Sequence, residues 1–175
     1  MARGHLRTKT LQSAFEKSKG KPLEIGGKTV HLAYDVPLEW PSKRATLSFT
    51  SFTDSPVQGV CLAMPEGELT INGLRTPTAC LWADAAPAAV GIQFLRFPNS
   101  SAALRVWNCW RGTTGDTLAW TENAGLVVQA ADDGMYRFAC SDGVGPADFT
   151  DLTFDLRIET AIQDTRDVTG LAGRE

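Results

Sequence analysis

Histidine is almost missing from this 175-residue chain, which has only His5 and His31. His5 sits in a basic leader and His31 lies between Val30 and Leu32 in a strand pattern, so a serine or cysteine nucleophile has a single candidate base. Triad hydrolysis is disfavoured on that count, and no catalytic residue is assigned. No apolar run approaches the roughly 20 residues that span a bilayer, so no membrane segment is expected. No hydrophobic stretch follows MARGHLRTKTLQ, which reads as a chain without a secretory signal and therefore cytoplasmic. Cys61, Cys80, Cys109 and Cys140 stand 19, 29 and 31 residues apart, which excludes the C-x-x-C clips of structural zinc and thiol redox motifs. In a reducing compartment the four are small buried hydrophobes, Cys140 alternating with Tyr136 and Phe138; a disulfide among them is the alternative.

What the chain does have is turns. Sixteen glycines and nine prolines punctuate short apolar runs with little helical periodicity and no internal repeat. A chain of this length buries roughly 70% of its unfolded surface, enough for one real core. Leu23 and Ile25 approach Gly26-Gly27 and Val30 and Leu32 leave it, a tight hairpin; Leu69 and Ile71 meet Asn72-Gly73, a second. Ala45, Leu47 and Phe49 alternate with Thr46, Ser48 and Thr50. Further strands are expected at Val60 to Met64, Ile92 to Phe97, Leu104 to Trp110, Leu118 to Thr121, Leu126 to Ala130 and Met135 to Cys140. Residues 83–91 read as a loop or one helical turn because Pro87 interrupts their alanines. The only helix signal is Thr10 to Lys19. Ten or eleven strands in two packed antiparallel sheets follow, an all-β sandwich of jelly-roll type, with residues 1–20 as a basic arm, 21–160 as the domain and 161–175 as a polar tail.

Charge is distributed unevenly. The first 28 residues carry seven basic side chains against Glu16 and Glu24, a local +5, and the whole chain being −3 leaves −8 for the rest. The leader is either a solvated arm or a weak attractant for a polyanion; the acidic body excludes a broad nucleic-acid face. The carboxylate pairs Glu66 with Glu68 and Asp132 with Asp133 occupy loop tips, natural turn chemistry, although a carboxylate-based hydrolase would have to draw on such groups.

Five tryptophans are the first binding signal. In RVWNCWR, Trp107 and Trp110 are three apart and take opposite faces of one strand, so one is core and the other is available. An exposed indole beside Asn108 or Arg111 makes a stacking platform for a sugar ring with hydrogen bonds to its hydroxyls, or a contact for a protein surface; the alternative is that all five fill a core or an oligomer interface. Trp107, Trp110, Asn108 and Arg111 are the candidate ligand residues, and a homo-oligomer built through the sheet faces is the alternative role.

The second signal is the turn before the last strand. Leu152, Phe154, Leu156 and Ile158 take one face, with Thr153, Asp155, Arg157 and Glu159 on the other, and Asp142, Asp148 and Asp151 crowd the preceding turn as a candidate metal site. This stretch, SDGVGPADFTDLTFDLRI, resembles the D-F-x-D-L-x-F ending of some bacterial β-sandwich modules of surface and extracellular proteins. The resemblance implies a β-sandwich whose aspartates hold calcium, with Asp142, Asp148 and Asp151 at the acidic positions, carbonyls or waters completing the six to eight oxygens calcium takes. NGLRTPTACLWADAAP and RVWNCWRG, together with that ending, look like an uncharacterised bacterial family of small β proteins.

Overall fold

Alternation between apolar and polar residues controls this molecule almost from end to end. The computed structural model describes residues 9–39, 44–98 and 103–159. Fourteen strands are found among them: β1 (Leu23–Ile25), β2 (Lys28–His31), β3 (Tyr34–Pro37), β4 (Arg44–Phe52), β5 (Gln58–Ala63), β6 (Gly67–Ile71), β7 (Leu74–Thr76), β8 (Thr78–Trp82), β9 (Val90–Arg96), β10 (Ala103–Arg111), β11 (Thr117–Leu118), β12 (Gly125–Ala130), β13 (Met135–Ser141) and β14 (Leu152–Glu159). Five of them, β1, β2, β3, β7 and β11, are only two to four residues long. Trp40 and the polar tail 161–175 lie outside the described residues.

All pairings are antiparallel. The larger sheet runs β1-β2-β12-β13-β14-β4-β9-β6-β7, and the smaller runs β11-β10-β5-β8 with β3 also on β10. The Gly26-Gly27 and Asn72-Gly73 hairpins form as expected, with positive φ at all four turn residues. Leu118 to Thr121 does not continue as a strand: pairing stops at Leu118, and Trp120 and Glu122 take left-handed backbone conformations.

The two sheets bury a shared apolar layer. Leu126, Phe138, Leu152, Phe154, Leu156, Leu47 and Ile92 of the larger sheet face Val60, Leu62, Leu104 and Val106 of the smaller, all at most 2% exposed. Phe138 and Phe154, directly opposite in the β13–β14 register, stack with centroids 4.5 Å apart.

One helix, α1 (Leu11–Ser18), covers the outer face of the larger sheet. Thr10 caps it by accepting from the Ser13 N–H, and Lys19 ends it in the left-handed conformation. Leu11 and Phe15 are one turn apart and bury against Val30 and Phe149, with Val127 and Ala139 beside them. The second half of the basic leader is therefore docked on the sandwich. The helix also holds a loop: Leu11 N–H donates to Asn123 Oδ1, Gln12 N–H to the Glu122 carbonyl, and Glu122 N–H to Gln12 Oε1. Among the described residues no helix is long and apolar enough to cross a membrane.

Leu156, fully buried in the middle of β14 between β13 and β4, tests this core. Leu156→Ala is expected to lower unfolding free energy by about 3 kcal/mol in urea titration, the usual cost of a large buried aliphatic deletion.

Candidate functional site

On β10 the even positions point inward and the odd positions outward, and this decides which candidate residues are available. Leu104, Val106, Asn108 and Trp110 lie inside; Arg105, Trp107, Cys109 and Arg111 lie on the outer face of the smaller sheet. Asn108 and Trp110 are each 2% exposed, which corrects their assignment to a ligand platform. The physical reason is the continuation of the Leu104 and Val106 alternation, a signal already present in the sequence.

Inside, these two residues and the expected metal ligand Asp142 meet in a clasp between the sheets. Asn108 Nδ2 donates to the Ser141 carbonyl at 2.8 Å, and Gln58 Nε2 on the neighbouring strand donates to Asp142 Oδ2 at 2.7 Å. The other Asp142 oxygen accepts the Val144 N–H at 2.6 Å, and Ser141 Oγ accepts the Phe149 N–H at 2.6 Å. Trp110 packs against the same turn so closely that a Cβ at Gly143 would stand 2.6 Å from its ring. Gln58 also reaches Thr53 Oγ1 and the Pro56 carbonyl, while its Oε1 has no hydrogen-bond partner.

The three aspartates are used as turn acceptors. Asp151 Oδ2 takes the Asp142 N–H at 2.9 Å, and Asp148 Oδ1 takes both the N–H and the hydroxyl of Thr150. Their carboxylates do not gather: among the described residues the one group of three ligating side chains with donor atoms all within 4.8 Å is Cys61, Cys80 and Cys109. Burial raises the Asp151 pKa above its ordinary 3.8, with Asp142 and Asp148 adding to the rise and the Asp142 N–H opposing it.

The outer face carries a different constellation. Strand β3 covers Ala103–Val106 of β10 and β11 covers Trp110 and Arg111, leaving Trp107 to Cys109 without a strand on that side. Trp120 covers Trp107 there, ring centroids 5.4 Å apart. Its indole N–H donates to the Leu32 carbonyl at 3.2 Å, its backbone is left-handed, and it remains 48% exposed. Sequence reading put Trp120 at the end of a strand and missed this role; no local signal marks it. Further along, the Arg111 guanidinium stacks over Trp82 at 4.5 Å and faces Asp84 at 3.6 Å. At the other end, Arg105 holds Asp35 through two hydrogen bonds of 2.7 and 2.9 Å, and that contact lowers the Asp35 pKa. The result is a row of indoles and guanidinium groups on one sheet face.

Between the indoles lie the cysteines. Cys61 and Cys80 sit directly opposite in the β5–β8 register and form a disulfide with Cα atoms 4.1 Å apart, so for this pair the alternative to buried free thiols holds. Sequence spacing concealed this because the chain changes sheets between β7 and β8, and only the pairing of β8 with β5 sets Cys80 against Cys61. Cys109 and Cys140 are free and buried as expected, and burial pushes the Cys109 thiol up to about 12.

The residues considered for acid–base work are placed apart. His31 is half-buried edge-on to Tyr34 at 5.2 Å, and desolvation lowers its pKa despite the opposing pull of Glu24. Asp132 and Asp133 line an open groove with Glu39, Tyr136 and Ile158, where Asp133 accepts the Met135 N–H and pairs with Arg157 at 3.3 Å.

No protein-family model, curated protein or solved structure matches this chain.

Two expectations follow from the clasp. Gln58→Ala strips the 1%-exposed Asp142 of a charge-assisted partner and is expected to cost about 3 kcal/mol in chemical denaturation. Asp151→Asn keeps an oxygen for the Asp142 N–H while removing a partly buried charge. Because the folded-state pKa of Asp151 is the higher one, the native state holds more protons just above pH 3.8 and the group's contribution to stability falls as pH rises through its folded value. Asp151→Asn should therefore be at least as stable as wild type at pH 7 and show a flatter stability profile in mildly acidic buffer, measured by thermal melts across pH.

Proposed function

We propose that this protein is a non-catalytic β-sandwich binding module whose ligand surface is the outer face of the smaller sheet, with a carbohydrate as the ligand. The observation that carries the reading is Trp120: half-exposed, tied to Leu32 through its indole N–H, and backed by Trp107. A fixed aromatic ring loses little entropy on contact, and its apolar face matches the C–H face of a pyranose. Arg111, on the same face as Trp107, stands further along over Trp82 and supplies hydroxyl-binding donors. A flat protein epitope is the other ligand such a face suits, since Trp and Arg concentrate binding energy at interfaces.

Binding to a glycan array, followed by tryptophan fluorescence titration with the best oligosaccharide, tests the reading. Trp120→Ala is expected to weaken binding about tenfold or more with little change in melting temperature, because half its surface is already in water. Absence of retention on every glycan, or undiminished affinity in Trp120→Ala, would refute it.

A further inference from the structure

Three sulfur atoms from three adjacent strands meet on the outer face of the smaller sheet. Cys61 on β5 is 2% exposed, Cys109 on β10 is fully buried, and Cys80 on β8 reaches solvent, with the three Sγ atoms all within 4.8 Å of one another. The grouping depends on Gly59, which lies opposite Cys109 on one side and Trp82 on the other. A Cβ at position 59 would stand 3.0 Å from Cys109 Sγ and 2.8 Å from the Trp82 ring, so the missing side chain is what lets them close over that spot. Trp107 is directly opposite Cys61. The sulfurs thus have an apolar, indole-flanked floor and one open side at Cys80.

A disulfide accounts for two of these sulfurs and leaves the third beside it. We infer that Cys61, Cys80 and Cys109 form a redox-gated site for one thiophilic cation of the Cu(I) class, closed while Cys61 and Cys80 are bonded and open when they are reduced. Opening needs a dithiol reductant: the Cys61–Cys80 bond breaks, each sulfur gains an electron and a proton, and the reductant's two thiols become its own disulfide. Metal entry then forms three metal–sulfur bonds and releases the three thiol protons to solvent. Thiolate ligands select soft cations. Zinc in structural sites is closed by four protein ligands, and the group ends at three sulfurs among the described residues, so a cation content with three-coordination is favoured. Arg111, two residues along the same face from Cys109, stands near the site with Asp84 as its ion-pair partner.

The full chain, reduced with a dithiol and desalted without air, is titrated with Cu(I) against a chromophoric competing chelator. One equivalent per chain is expected, with ultraviolet thiolate-to-metal absorption, and none for the air-oxidised chain. X-ray absorption of the loaded wild type is expected to show three sulfur neighbours, a readout that requires no variant. Cys109→Ala, with its fold checked by circular dichroism, should bind more than about 100-fold more weakly, beyond what loss of an outer-shell contact costs. Two sulfur neighbours, equal binding by the oxidised chain, or wild-type affinity in Cys109→Ala would each overturn the inference.

Discussion

The buried polar clasp at the 141–143 turn is the constraint on which the rest of the structure depends. Two facing sheets held only by apolar contact can slide, because hydrophobic attraction has no direction. The Gln58 amide on the Asp142 carboxylate and the Asn108 amide on the Ser141 carbonyl do have direction, and both are out of water. An unmade hydrogen bond there leaves a desolvated polar group, so the penalty for misregistration is steep. The clasp joins β5 and β10 to the turn between β13 and β14, and Trp110 fills the space beside it.

Once the inner face of β10 is committed to the clasp, its outer face is fixed by alternation. Trp107, Cys109 and Arg111 must point away from the core, and the small strands β3 and β11 leave the middle of β10 open to Trp120. The loop carrying Trp120 is in turn held by α1, whose first free N–H groups are accepted by Asn123 and Glu122. A helix on one face of the sandwich thereby sets an aromatic on another. The row of indoles and guanidinium groups and the three-sulfur group share this platform, both consequences of which side of β10 faces the larger sheet.

The turn that carries Asp142, Asp148 and Asp151 shows how closely spaced carboxylates can be used by their own backbone. Asp142, Asp148 and Asp151 each accept N–H groups of their own turn, and Asp142 additionally anchors the facing sheet. Each of these hydrogen bonds uses one lone pair of a carboxylate oxygen, and the Gln58 bond to Asp142 links the turn to the facing sheet. The same residue types in sequence describe either a metal site or a set of turn acceptors; the direction in which each side chain points distinguishes them.

Much of the architecture was legible in the chain: the two glycine-bearing hairpins, the alternation of Leu152 to Ile158, the helix at Thr10 to Lys19 and the all-β sandwich are local consequences of side-chain period and turn chemistry. Leu104 and Val106 even carried the information that places Asn108 and Trp110 inside, through a two-residue period that runs on unbroken. Other features belong to the tertiary structure. The disulfide, the convergence of Cys109 on it, the seating of Trp120 on Trp107 and the clasp on Asp142 all join residues at least a dozen positions apart in the chain. Local sequence fixes which way a side chain points from its own strand. Only the order in which strands pair and the sheet they face decide what it meets, because those choices are set by burial summed over the whole core.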